Sequence, residues 1–258
     1  MENIKPYGTQ ECKRDQVRRM FDNIAPTYDR LNHLLSFNID RWWRRRTVEA
    51  VRRTGARRIL DLATGTGDLA IAMARRIGDA QIVGADLSPE MLAEAQRKVE
   101  AAGLGGRIRL QVCDAEQIPL ADGEMDAATV SFGIRNFADP ARGLAEMHRV
   151  VREGGHLAIL EFANPRNRFV RMLYRIYSHG ILPAIGSMVS RDRSAYEYLP
   201  ASVDAFPEPE RFAQMIGEAG FGEVEIRPLS FGIANIYTAR KVQPEGQTAK
   251  KELKTAEL

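Results

Sequence analysis

The sequence predicts an α/β fold: a mostly parallel, seven-stranded sheet flanked by helices and finished by an antiparallel hairpin. Three observations carry this. Between residues 57 and 164, short apolar runs alternate with helix-length stretches, the pattern of strands joined by right-handed crossovers. The first run ends in the glycine turn Ala63-Thr64-Gly65-Thr66-Gly67. Near the C-terminus two further runs straddle Phe231-Gly232, a tight turn that pairs them antiparallel.

The 258 residues suit one sizeable domain. A chain 44% hydrophobic and 28% charged is ordinary for a soluble protein, and a net charge of +3 is too small to imply nucleic acid. Cys12 and Cys113 lie far apart, so a disulfide scaffold or a zinc site is not expected, nor is any other metal, and a reducing cytoplasm is the expected location. No apolar leader opens the sequence and no run approaches 18 apolar residues, so neither a signal peptide nor a bilayer span is expected.

Along the chain, residues 1–10 read as a flexible arm, 11–240 as the folded domain and 241–258 as a polar, disordered tail. Within the domain, 11–56 is a helical lid rich in arginine and aromatics, and 165–205 is an insertion on the substrate side. The strands are RRILDLA (57–63), QIVGAD (81–86), RIRLQVCD (107–114), MDAATVSF (125–132), GGHLAILEF (154–162), GEVEIRPLS (222–230) and IANIYTARK (233–241). DLAIAMARRI (68–77) is the first crossover helix, and Ser88-Pro89 opens the second with an N-cap and a proline at its first position.

Ligand chemistry gathers where the strands end. Gly65 and Gly67 let the backbone turn tightly before a helix that offers free N–H groups. Asp86 ends the second strand, where a carboxylate can accept ribose hydroxyls. Gly65-x-Gly67-x-x-Ala70 also satisfies the NAD fingerprint, so the turn alone leaves the cofactor open. Asp61 shifts the balance. An acid there would repel a pyrophosphate, whereas a sulfonium cofactor bearing an amino group would tolerate it. Asp114-Ala115 can meet an adenine amino group, and Ser131 to Asn136 can line a cofactor and face a substrate.

Four stretches resemble one family, and a fifth resembles the wider class. DLATGTGDL (61–69) resembles motif I of class I methyltransferases. YDRLNHLLSFNIDRWWRR (28–45) and RVVREGGHLAILEF (149–162) resemble the two signatures of the ubiquinone/menaquinone biosynthesis C-methyltransferases, and SFGIRNF (131–137) and YEYLPASVDAFP (196–207) match that family's pattern. The resemblance covers about residues 17–240. Asp40 stands where many members have histidine, and Glu153 where proline is usual.

The resemblance implies the class I methyltransferase (Rossmann-like) fold and S-adenosyl-L-methionine as cofactor. It places Thr66, Asp86, Asp114, Ala115 and Ser131 against that cofactor, with Asp61, Gly65 and Gly67 in the same turn and Asp68 within reach through water. It implies C-methylation of a prenylated quinol ring in menaquinone or ubiquinone biosynthesis, with demethylmenaquinol as first reading and another small hydrophobic acceptor as the alternative. An NAD-dependent oxidoreductase, a non-catalytic cofactor-binding module and a nucleic-acid methyltransferase fit less well. For the first, no Tyr-x-x-x-Lys pair follows a plausible active-site strand, and the last lacks its N-P-P-Y motif and positive charge.

A quinol carbon becomes nucleophilic when a neighbouring hydroxyl loses its proton, so a base or a phenolate stabiliser is useful. Arg135 and Asn136 are the first candidates, the alternative for Arg135 being a plain ion pair with a carboxylate. Tyr28 and Asp29, in the lid, could meet the quinol oxygen and its proton. Tyr196, Tyr198 and Ser202 are candidates for the substrate channel. Phe169, Met172, Leu173, Ile176 and Tyr177 form an apolar stripe beside Arg168, Arg171 and Arg175, with Arg191 and Arg193 following. That stripe reads either as a helix packed over the sheet or as one lying on an anionic membrane surface. Peripheral contact with the inner face of the cytoplasmic membrane and a homodimer are both left open.

Overall fold

Each of the seven apolar runs is a strand in the computed structural model, which describes residues 4–181 and 193–242. They are β1 (Arg58–Leu62), β2 (Gln81–Asp86), β3 (Ile108–Val112), β4 (Met125–Ser131), β5 (Val151–Phe162), β6 (Phe221–Leu229) and β7 (Ala234–Lys241). They form one sheet in the order β3-β2-β1-β4-β5-β7-β6. The first five are parallel, and β7 runs antiparallel between β5 and β6. The inner strands are buried on both faces, as a parallel sheet requires.

β5 begins at Val151, ahead of the predicted 154, because Val151 pairs with Met125 across a bulge. Arg152-Glu153-Gly154 reads locally as a loop, and only that long-range pairing makes the stretch a strand.

The crossover helices are α4 (Asp68–Arg76), α5 (Pro89–Ala101) and α6 (Pro140–Val150). Their starts are chemically marked. Ser88 Oγ accepts from Met91 N–H at 3.1 Å, and Asp139 accepts from the N–H groups of Ala141 and Arg142. α9 (Pro209–Glu218) buries Phe212 and Ile216 against the hairpin side of the core.

The lid consists of α1 (Lys13–Ile24), α2 (Tyr28–Leu35) and α3 (Ile39–Arg53). Pro26 sits in the turn Ala25–Thr27 that separates the first two. The amphipathic faces of α1 and α2 meet at Met20, Ile24, Leu31 and Leu35. Lys13 fastens α1 across the sheet's edge, its Nζ donating to the carbonyls of Arg135 (3.2 Å) and Phe137 (2.7 Å). Residues before α1 lie along it: Tyr7 N–H donates to Gln16 Oε1 at 3.0 Å.

α7 (Arg168–Ile176) and α8 (Arg193–Asp204) complete the same edge. α7 buries no residue; Phe169, Met172, Leu173 and Ile176 are each about half exposed or more. The packed-helix reading of that stripe is therefore corrected, because its apolar face has no sheet to lie on. Arg191 and the tail from 243 onward lie outside the described residues. Among the described residues no helix is long and apolar enough to cross a membrane.

Candidate active site

The site lies at the C-terminal ends of β1 and β4, neighbours in the sheet from which the chain winds outward in opposite directions. In open α/β sheets that switch point is where ligands bind. The residues just past both strands, Ala63 (φ 53°) and Phe132 (φ 58°), take the left-handed conformation. A Cβ disfavours it, and such strain gathers at functional sites. Gly133 follows because nothing larger fits: a Cβ there would stand 2.5 Å from Ala63 Cβ.

Two clefts open here. The smaller, about 760 Å³, is lined by Gly65, Asp86, Asp114, Ala115 and Ser131, with Tyr28 and Phe21 from the lid. Asp86 Oδ2 accepts from Gly65 N–H at 2.7 Å, and its Oδ1 from Ser88 N–H at 2.9 Å. Burial raises its pKa, and those two N–H groups oppose the rise. A carboxylate has lone pairs beyond these two bonds, so Asp86 is held in place and still able to accept. Asp114 is fixed by Glu116 N–H at 2.9 Å and by Arg14 at 3.1 Å. Ser131 Oγ is buried with no hydrogen-bond partner.

Four expected residues turn away from this cleft. Asp61 is 1% exposed, and it receives the hydroxyls of Thr64 (2.7 Å) and Thr129 (2.8 Å). Burial pushes its pKa up to about 6, so it braces the turn and does not face a cofactor amine. Gly67 starts α4 in the left-handed region, and a Cβ there would come 3.2 Å from Ala95 Cβ, so it serves helix packing. Thr66 gives its hydroxyl to Asp29 Oδ1 at 2.6 Å. Asp29 lines neither cleft and pairs with Lys98 at 2.6 Å.

Lys98 also meets Asp68 at 2.5 Å, so it joins α2, α4 and α5. Asp68 is shared with Arg44 (3.4 Å) and His33 (3.6 Å). Asp40 is 4% exposed and accepts from His33 (2.9 Å), Ser36 (2.6 Å) and Arg44. Burial works against its ionisation, but the Ser36 hydroxyl and Arg44 together hold its carboxyl below the usual range. His33, Asp40 and Asp68 bring ligand-type atoms within 4.8 Å of one another, and Arg44 and Lys98 supply positive charge at that place. Lys98 was invisible in the sequence, being one basic residue in the last turn of a helix.

The larger cavity, about 1460 Å³, is walled mostly by apolar side chains, among them Met20, Ile24, Leu35, Trp43, Phe162 and Val203. Phe21, Tyr28, Phe132 and Asn136 line both clefts and so form the partition between them. Burial raises the Tyr28 pKa, keeping the phenol neutral. Arg135 faces this cavity, but its guanidinium is bound. It donates to Glu161 (2.8 Å), to Phe132 O (2.5 Å) and to Ser202 Oγ (3.2 Å). Arg135 thus has the carboxylate partner that the ion-pair alternative called for, and it also lines the cavity. Glu161 was readable as an acid inside the apolar run Ile159-Leu160-Glu161-Phe162, a pattern that calls for a buried partner. Of the channel candidates, Tyr198 lines this cavity and Ser202 does not; the side chain of Tyr196 lies outside the described residues.

The model of the ubiE/COQ5 methyltransferase family matches residues 9–241. The chain belongs to that family. It is 44% identical to the demethylmenaquinone methyltransferase of Bacteroides fragilis, over 93% of this chain and 98% of that one. It is 48% identical to the Thermus thermophilus protein of the same name, over 84% and 98%. To the ubiquinone/menaquinone biosynthesis C-methyltransferase UbiE of Geobacter sulfurreducens it is 44% identical, over 93% and 99%. Among solved structures it resembles in fold the [4+2]-cyclase SpnF, with a TM-score of 0.65 at 20% identity over 89% and 96%. A possible histamine N-methyltransferase of Thermotoga maritima gives 0.60 at 19% over 87% and 99%.

S-adenosylmethionine, the cofactor of this ubiE/COQ5 methyltransferase, fits the smaller cleft. Asp86 stands ready to accept hydroxyls, and Ser131 Oγ lacks a partner.

Proposed function

We propose that the chain methylates a ring carbon of a prenylated quinol, with demethylmenaquinol as acceptor and menaquinol as product. The observation that carries this is the shared partition. A polar cleft suited to the cofactor and a large apolar cavity meet across Phe21, Tyr28, Phe132 and Asn136, so a ring in one can face a methyl group in the other. Bound S-adenosylmethionine supplies an electrophilic methyl group. The chain's own work is then to align two reactants and exclude water, which the closed lid does.

Asp86 binds the ribose, Asp114 and Ala115 bracket the adenine, and Ser131 takes the unsatisfied place beside them. Tyr28, neutral and in the partition, can hydrogen-bond the quinol oxygen, while Asn136 offers an unpartnered Oδ1 to a quinol hydroxyl. Arg135 and Glu161 hold that turn rigid.

The prenyl tail leaves through the cavity's mouth. Phe37 and Ile39 line the cavity and are 76% and 42% exposed, and Phe169 and Ile176 of α7 extend the apolar surface. Arg168, Arg171 and Arg175 flank it without a carboxylate on α7, which suits peripheral contact with an anionic membrane. The test is methyl transfer from isotopically labelled cofactor to demethylmenaquinol and to a 2-polyprenyl-6-methoxybenzoquinol. Product carrying label from the naphthoquinol supports the reading, and label on neither acceptor ends it.

A further inference from the structure

Among the described residues, four buried side-chain atoms lack a hydrogen-bond partner: Gln111 Nε2, Ser131 Oγ, Asn136 Oδ1 and the Tyr198 hydroxyl. Three of the four line the two clefts. An unpaired buried polar group weakens a fold, and folds keep such groups where something arrives to use them.

Tyr198 differs from Ser131 and Asn136 in facing only the larger cavity. It is 5% exposed, and its ring packs in the cluster that joins α1, α2 and α8. Phenylalanine would pack there equally well and leave no idle hydroxyl, so packing does not explain the oxygen. Its placement does. Ser202 lies one helical turn further along α8, on the same face, and its Oγ accepts from Arg135 Nε at 3.2 Å. The face of α8 that carries Tyr198 is thus turned toward the Arg135–Asn136 turn. Burial pushes the phenol up to about 12; Arg135 opposes and Glu161 assists the rise. At neutral pH it keeps its proton, so it donates a hydrogen bond and is no base.

We propose that Tyr198 is a catalytic residue whose hydroxyl donates a hydrogen bond to the acceptor ring's oxygen as that oxygen becomes a phenolate. This rests on the quinol reading above. The quinol hydroxyl proton leaves to water, and the ring carbon beside it forms a C–C bond with the methyl group as the C–S bond breaks. The ring then loses the hydrogen on that carbon while its oxygen regains a proton, so one proton is released overall. Negative charge sits on the oxygen until the carbon attacks. A donor already fixed in a dry cavity stabilises it without reorganisation.

The experiment compares wild type with Tyr198→Phe. The expected result is a fall in kcat of about 10²-fold, the usual effect of removing one such donor. Affinity for S-adenosylhomocysteine should stay unchanged by calorimetry, and the melting temperature should stay equal or rise. The rise of kcat with pH should move to higher pH in the variant, since the phenolate forms less readily without its donor; a structural role would not move that profile. Unchanged kcat overturns the proposal. A parallel drop in kcat and melting temperature also overturns it, since the hydroxyl would then be holding the fold. Wild type that fails to methylate any quinol removes the quinol reading and this proposal together, whereas an active wild type with an equally active variant removes only the latter.

Discussion

Arg135 and Glu161 meet at 2.8 Å in the interior, with side chains 8% and 0% exposed. Breaking such a pair strands one charge in the interior, at about 3–5 kcal/mol. Arg135→Ala and Glu161→Ala should each destabilise the protein by that amount in urea unfolding. The double variant Arg135→Met with Glu161→Leu should recover part of the loss, because no lone charge remains. Single variants that lose less than about 1 kcal/mol would mean that the pair is solvated.

The proposed ribose contact is Asp86. Asp86→Ala should weaken S-adenosylmethionine binding by about 2–3 kcal/mol, the range for hydrogen bonds to a charged group. Calorimetry measures it directly. Unchanged affinity would remove Asp86 from the ribose site and leave it as the clamp on Gly65 and Ser88.

Asp61 should leave a mark on pH dependence. Its pKa is near 3.8 when unfolded and about 6 when buried, so the folded protein holds the proton more tightly. The stability this gives is fully present below about 4 and is lost as pH rises through about 6. Two pKa units correspond to roughly 3 kcal/mol. Asp61→Asn keeps an acceptor and cannot ionise, so it should lack this step. The quantity to follow is the stability difference between the two proteins from pH 4 to 8. A difference that stays flat contradicts the shift.

The exposed stripe on α7 separates two kinds of substrate. Phe169→Ser with Ile176→Ser should impair methylation of a long-tailed quinol in vesicles and spare a short-tailed quinol in solution. Both side chains are more than half exposed, so the melting temperature should hold. Each apolar side chain taken up by lipid contributes at most about 1.5–3 kcal/mol, enough together to shift binding strongly. Parallel loss of both activities would assign the stripe to the site itself.

The sequence by itself determined the seven strands, though not where β5 begins, because apolar runs of strand length and glycine turns are local signals. Asp86, Asp114, Ala115 and Ser131, which lie at or just past strand ends and so converge at one edge, line one cleft, the smaller. Only the tertiary structure decided which of the remaining polar residues face a ligand. Asp61 and Thr66 sit in the same turn as Gly65, yet their oxygens are taken up by Thr64, Thr129 and Asp29. Arg135 and Asn136 are adjacent, yet one is bound by Glu161 from β5 and the other keeps a free acceptor. Apart from Thr64, three residues from Asp61, those partners are 26 to 68 residues distant in sequence. Hydrogen bonding is satisfied across space and not along the chain, so which side chains remain available to a ligand is settled only when the sheet, lid and α8 close together.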